Sequence, residues 1–286
     1  MDLYLRGSKG LAALEEVVRL KWSVDSVFLE EDTGLTNDPI AQMGEIVETL
    51  GIKPENSGSP MRHSNVALAV GWKRMIEHEY SNLFVIHDSL LPKYRGWNPL
   101  VTALQNGDNL IGVTLFLASK EVDCGPIVAQ EEIEISYPIK LERAIALIES
   151  RIKLLIPQLD TYLSSDVKLL KPQLEQFATY SLWRDDEDFQ IDWSLDSKAI
   201  ENFVNSVSFP YAGASTFLKG ERLRIFDVKQ APDISIANRT PGKVIKVDTE
   251  SFTVVCGKGL LEIYDARLDA NLREPFILKS VKTRLN

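Results

Sequence analysis

The sequence predicts an α/β fold: a mostly parallel, doubly wound sheet over residues 1–165, a linker at 166–200, and a small β-rich, barrel-like domain at 201–286. Three observations predict it. Up to about residue 165, short apolar or β-branched runs alternate with helical stretches, the texture of parallel strands joined by helices. Beyond residue 200 the pattern changes to a period of two, broken by turn residues. Finally, 286 residues at 44% hydrophobic and 26% charged can form one large core or two smaller ones without staples, which excludes a disordered chain.

In chain order, residues 3–5 read as a strand, 11–24 as a helix, 26–29 as a strand, 39–50 as a helix and 66–70 as a strand. Residues 83–86 are a continuous apolar run, as expected of a parallel strand buried on both faces, and 112–117 form another strand. Between 141 and 163, Ala144, Ile148, Ile152, Leu155, Ile156 and Leu159 recur near a 3.6-residue period with Glu149, Lys153 and Asp160 between them. That pattern predicts a helix with one solvent face and a kink at Pro157. In the second half, 214–218, 222–228, 243–247, 252–256 and 260–264 read as strands after a short helix at 197–207. Lys219-Gly220, residues 248–251 and Gly257-Lys258-Gly259 fall where an antiparallel sheet needs turns.

Against 41 Asp+Glu the chain has 32 Lys+Arg, a net charge of −9. That balance opposes a protein whose main task is coating nucleic acid. Cys124 and Cys256 are far apart and without Cys or His at metal-ligand spacing, so neither a disulfide framework nor a metal site is expected, and a reducing cytoplasm fits. No run approaches the ~18–20 apolar residues of a membrane span. The first residues show no basic-then-apolar export pattern. Gly7-Ser8-Lys9-Gly10 follows a strand and opens a helix, where anions bind, but it lacks both dinucleotide and P-loop spacing and reads as a tight turn.

The informative region begins at residue 83. His87 stands at the carboxyl end of an apolar strand, where open α/β sheets collect ligands, and histidine exchanges protons near neutral pH. The alternative is a histidine satisfied by local hydrogen bonds. Asp123 precedes Cys124-Gly125 in a turn, where an aspartate commonly bonds nearby backbone.

Taken together, His87-Asp88-Ser89-Leu90-Leu91-Pro92-Lys93-Tyr94-Arg95-Gly96, the Gly112-Val113-Thr114 strand and Asp123-Cys124-Gly125 resemble the 10-formyltetrahydrofolate-dependent formyltransferases. Weaker similarity runs through Phe189-Gln190-Ile191-Asp192-Trp193, residues 209–214, Pro241-Gly242 and residues 256–259, similar to the linker and second domain of methionyl-tRNA formyltransferases and sugar formyltransferases. The resemblance implies a formyltransferase-type Rossmann-like first domain and 10-formyltetrahydrofolate as formyl donor. It implies that His87 donates to the oxyanion, that Asp123 orients and balances His87 while assisting proton removal from the acceptor amine, and that no metal takes part. Where that family places an asparagine two residues before the histidine, this chain has Val85, so Asn98 becomes a candidate donor to the formyl oxygen. Its other reading is a turn and helix start at Trp97-Asn98-Pro99. By the same resemblance Gly71, Trp72, Lys73, Met75 and Val122 border the donor pocket, with Trp72 equally readable as a packed aromatic. Ser89, Lys93, Tyr94 and Arg95 face the acceptor, although Lys93 and Arg95 also read as solvent-facing charges.

The acceptor follows from charge. Residues 181–286 carry 15 Lys+Arg and 16 Asp+Glu, and only from Lys219 onward does the balance turn to 13 against 9. A tRNA-binding module calls for a stronger positive field. A nucleotide-linked amino sugar is therefore expected as the acceptor. The alternatives are methionyl-tRNA and a catalytically inactive binding homologue suggested by Val85, and a homodimer stays open.

Overall fold

The computed structural model describes residues 1–56, 63–76 and 79–286, and they form two compact units. The first comprises residues 1–100, 110–134 and 144–182; the second comprises 101–109, 135–143 and 183–286. The linker expected over 166–200 thus divides, residues up to Leu182 packing with the first unit and those from Trp183 with the second.

In chain order the elements are β1 (Asp2–Arg6), α1 (Gly7–Arg19), β2 (Ser26–Glu30), α2 (Ile40–Thr49), β3 (Glu55–Asn56), β4 (Val66–Val70) and β5 (Asn82–His87). There follow β6 (Arg95–Gly96), α3 (Pro99–Asn106), β7 (Leu110–Leu117), β8 (Ile127–Glu134), α4 (Leu141–Ser164) and β9 (Tyr180–Ser181). The main sheet runs β3-β2-β1-β4-β5-β7-β8. Its first five strands are parallel, and β7 and β8 add an antiparallel edge. Strand order reverses at β1, the arrangement of a doubly wound sheet. The middles of the central strands are apolar because both faces are covered: Leu3, Val27, Leu68 and Phe84 are fully buried. On one face Tyr4 stacks on Phe28 at 4.4 Å between ring centroids, with Ala67 and Ala69 beside them.

Helix α1 departs from the sequence reading. Gly7-Ser8-Lys9-Gly10 is its first turn rather than a separate tight turn, and the helix ends at Arg19, with Lys21 closing it at a φ of +56°. The cause is close packing. A Cβ on Gly10 would lie 3.1 Å from the backbone of Leu5, so the helix starts tightly packed against β1 where glycine lets it approach without displacing that strand. Helix α4 follows its predicted period and continues through Pro157 to Ser164.

The second unit contains α5 (Ser197–Ser206) and an antiparallel sheet of β10 (Ala214–Leu218), β11 (Glu221–Ala231), β12 (Val244–Val247), β13 (Phe252–Val255) and β14 (Leu260–Leu268), in the order β10-β11-β14-β13-β12. Lys219 and Gly220 both have positive φ, 52° and 89°, as a two-residue hairpin turn requires. Leu223, Ile225, Val254 and Leu261 alternate inward and are fully buried. Among the described residues no helix is long and apolar enough to cross a membrane.

Candidate active site

Strand β5 is apolar while it is flanked by β4 and β7, and polarity begins where it leaves the sheet, at His87 opposite Thr114. His87 is 7% exposed. Its Nε2 lies 2.8 Å from the carbonyl oxygen of Tyr94. Since a carbonyl only accepts, Nε2 carries the proton, and Nδ1 is the basic nitrogen of the neutral ring. Nδ1 faces Asp123 Oδ2 at 3.7 Å, and the same carboxylate oxygen accepts the Gly96 amide at 2.8 Å. Asp123 reaches this place from the loop between β7 and β8 with a φ of +55°, a conformation that a short polar residue tolerates. The sequence-predicted His87 and Asp123 are therefore brought together.

The loop after His87 is closed on itself. Ser89 Oγ donates to the Lys93 carbonyl at 2.6 Å, Thr114 Oγ1 donates to the Ser89 carbonyl at 2.7 Å, and Gln130 Nε2 donates to the Leu91 carbonyl at 2.9 Å. Tyr94, at a φ of +58°, donates its amide to Thr179 Oγ1 at 2.9 Å. Arg95 is only 1% exposed. Its Nε donates to Gln173 Oε1 at 3.1 Å and its Nη1 to Glu175 Oε2 at 2.8 Å. Ser89 and Arg95, expected at the acceptor, hold this loop in place, and Arg95 is not a solvent-facing charge. Lys93 is exposed. Asn98, half-buried at a φ of +48°, immediately precedes Pro99 at the start of α3.

The segment after β4 lies across from β1. Gly71 has a φ of +68°, and a Cβ there would come within 2.5 Å of the Arg6 carbonyl oxygen, so glycine is required. Trp72 packs edge-on to Tyr4 at 5.1 Å and against the Phe28 cluster, the packed-aromatic reading, while its Nε1 is buried without a hydrogen-bond partner. Lys73 Nζ lies 3.5 Å from Asp32 Oδ2, and burial lowers the pKa of this ammonium. Burial opposes the Asp32 charge, but Lys73 and Arg6 outweigh it and hold the carboxyl below its usual range. Met75 is 74% exposed and Val122 59%, so both offer apolar surface. Beside His87, Asp88 pairs with Lys9 of α1. Burial works against the Asp88 charge, but the Lys9 ammonium overcomes it and keeps the carboxyl below its ordinary value.

Sequence reasoning missed the segment from Lys171 to Ser181, which supplies Gln173, Glu175 and Thr179 and pairs β9 with β6. No local pattern announces it, because it meets the loop only through the fold. Among the described residues no group of three or more His, Cys, Asp or Glu is placed to hold a metal ion.

Comparison with known proteins adds two findings. The family model described as formyl transferase matches residues 60–151, and that described as formyl transferase, C-terminal domain, matches residues 184–273. Among solved structures, HypX from Aquifex aeolicus in complex with tetrahydrofolic acid is 21% identical with a TM-score of 0.64, over 94% of this chain and 44% of that one. The chain thus spans less than half of HypX. The N-formyltransferase from Helicobacter canadensis in complex with folinic acid and dTDP-3-aminofucose is 16% identical with a TM-score of 0.68, over 93% of this chain and 98% of that one. Methionyl-tRNA formyltransferase from Clostridium thermocellum is 16% identical with a TM-score of 0.56, over 80% and 92%. At these identities the likeness is one of fold.

Proposed function

The chain belongs to the formyl transferase family, and from that premise we propose that it transfers a formyl group from 10-formyltetrahydrofolate to the amine of a nucleotide-linked amino sugar. The observation that carries the reading is the approach of His87 Nδ1 to Asp123 at the carboxyl end of β5. Bound, the donor supplies an electrophilic formyl carbon on a nitrogen leaving group. The acceptor amine would attack that carbon as the carbon's bond to the donor nitrogen breaks, so the site must take a proton from the attacking nitrogen, return one to the leaving nitrogen and stabilise charge on oxygen. With its Nε2 proton held on the Tyr94 carbonyl, His87 takes the proton at Nδ1. The resulting imidazolium faces the Asp123 carboxylate, which offsets its charge, and Nδ1–H can then donate either to Asp123 or to the developing oxyanion. Val85 offers no donor to that oxygen, and Asn98 is the side chain assigned to it.

The described residues fit such a donor. The buried Trp72 Nε1 lacks a partner, and Met75 and Val122 present apolar surface in the segments assigned to the folate, with Gly71 and Lys73 beside them. Lys93 and the Tyr94 side chain are assigned to the acceptor. Support for a sugar nucleotide over tRNA comes from the near-neutral charge of residues 181–286, 15 Lys+Arg against 16 Asp+Glu, where polyphosphate binding would demand a strong positive field.

The test offers the protein 10-formyltetrahydrofolate with a panel of nucleotide-linked amino sugars and, in a separate arm, with methionyl-tRNA, and follows formylated product by mass spectrometry. Formylated sugar nucleotide is expected. Formylated methionyl-tRNA with salt-sensitive binding would assign the acceptor to tRNA instead, and donor binding without any product would mark a binding protein.

A further inference from the structure

We infer that Gln173 is a positioning residue for this chemistry: it ties the loop that carries His87 to the turn that carries Asp123, and so sets the distance between them. The inference rests on the His87–Asp123 reading of the site. Gln173 uses both ends of its amide. Nε2 donates to two carbonyl oxygens of the Asp123 turn, those of Asp123 and Gly125, each at 2.8 Å. Oε1 accepts from Arg95 Nε at 3.1 Å, and Arg95 lies between Tyr94, whose carbonyl holds His87, and Gly96, whose amide holds Asp123. One side chain therefore spans two segments that have no covalent or strand connection with each other at this point.

Its own segment is fixed in turn. Lys171 exchanges backbone hydrogen bonds with Ile127 at 2.8 Å in both directions, just past the Asp123 turn. Beyond Gln173, Thr179 accepts the Tyr94 amide on its side chain and the Arg95 amide, at 2.9 Å, on its carbonyl. At Gly96 the approach is so close that a Cβ would come within 2.7 Å of the Ser181 carbonyl oxygen. The strap from 171 to 181 is thus anchored to the Asp123 turn at one end and to the His87 loop at the other, and Gln173 adds a second side-chain tie beside the direct bond from the Gly96 amide to Asp123.

This arrangement explains why Arg95 is buried although its carboxylate partner Glu175 is exposed. Glu175 and Tyr180 steady the guanidinium, and its Nε is turned to Gln173. An amide is the group required at 173, because two carbonyls on one side need a donor and the guanidinium on the other needs an acceptor.

Gln173→Glu separates positioning from mere packing. It preserves volume and the acceptor toward Arg95, but sets a carboxylate oxygen against the two carbonyls. With 10-formyltetrahydrofolate and whichever acceptor the proposed screen identifies, we expect kcat to fall about 10–100-fold, as misplacement by an ångström can cause, with KM for the donor within about threefold of wild type. In an Asp123→Asn background the same change should cost less than about threefold, because the residue it positions has already lost its function. Gln173→Ala, which removes both contacts without adding charge, should reproduce the kcat loss. A readout independent of turnover separates failure of this inference from failure of the proposed activity. In protein labelled with ¹⁵N-histidine, with the His87 signals assigned by their loss in His87→Asn, both Gln173 variants should move the ring-nitrogen signals of His87 while leaving those of His63 in place. Unmoved His87 signals in folded variants would overturn the inference even if the wild-type enzyme proved inactive. So would a kcat within twofold of wild type, or full additivity with Asp123→Asn.

Discussion

At His87 a backbone carbonyl chooses the nitrogen that faces Asp123, since Tyr94 accepts at Nε2 and leaves Nδ1 toward the carboxylate. His87→Asn and Asp123→Asn should each lower kcat by at least about 10²-fold, the range that positioned proton transfer supplies, with little change in melting temperature. In Asp123→Asn an amide oxygen can still accept from Gly96. Turnover near wild type in either folded variant would remove that residue from the assigned role. Val85 poses the opposite question. It packs against both the Tyr4–Phe28 cluster and the Leu91–Phe116–Ile127 cluster, so Val85→Asn places an amide among apolar groups at a cost of about 1–3 kcal/mol. We expect a lower melting temperature and a lower kcat. A higher kcat for Val85→Asn, alongside an unimpaired Asn98→Ala, would show that the formyl oxygen sits over β5 and that Asn98 is not its donor.

Elements form where a local pattern and a tertiary neighbour agree, and shift where the neighbour prevails. Helix α5 shows agreement: Asp196 caps it by accepting the Ala199 amide at 2.8 Å, ahead of an apolar stripe that buries Ile200 and Val204. Asp196→Ala should therefore cost about 1 kcal/mol, read as a lower urea midpoint at an unchanged slope. A change of slope would mean that the cap also shapes the unfolded ensemble. The turn at Gly257-Lys258-Gly259 was legible as a hairpin, but its glycines are explained by neighbours the sequence does not show. A Cβ on Gly257 would meet the Ser194 carbonyl oxygen at 1.8 Å. Helix α1 shows the neighbour prevailing, its start set by the approach of Gly10 to Leu5. Strands β6 and β9, two residues each, have no period to read and exist only as a long-range pair.

For the whole molecule, stability couples to pH through groups that cannot ionise freely. Cys256 is fully buried, and that burial pushes its thiol up to about 12, whereas an unfolded cysteine titrates near about 8.5. Above the unfolded value the native chain binds the extra proton, so stability falls as pH rises from about 8.5 toward 12, by up to about 1.4 kcal/mol per pH unit. Urea unfolding of wild type and Cys256→Ala at pH 8 and pH 10.5 checks this, with a smaller pH dependence expected in the variant. Equal dependence would refute it. The division into units bears on truncation as well. Residues 101–109 and 135–143 belong to the same unit as 183–286, and they include the buried Leu104 and Leu141. A fragment of residues 1–182 should therefore bind a hydrophobic dye and unfold without cooperativity. Cooperative unfolding of that fragment would show that these segments refold within the first unit.

The sequence by itself determined the alternation of strand and helix, the change of texture past residue 200, and the placing of His87 at a strand's end, because burial and period are local properties of the chain. It also marked Asp123 as a turn residue. What only the tertiary structure decided is how these parts meet: which histidine nitrogen is free, that Arg95 turns inward, and that Gln173 joins the two loops. Those contacts span 78 residues from Arg95 to Gln173 and 50 from Gln173 to Asp123. Hydrogen bonds over such separations depend on the path of the whole backbone, which no window of the sequence contains.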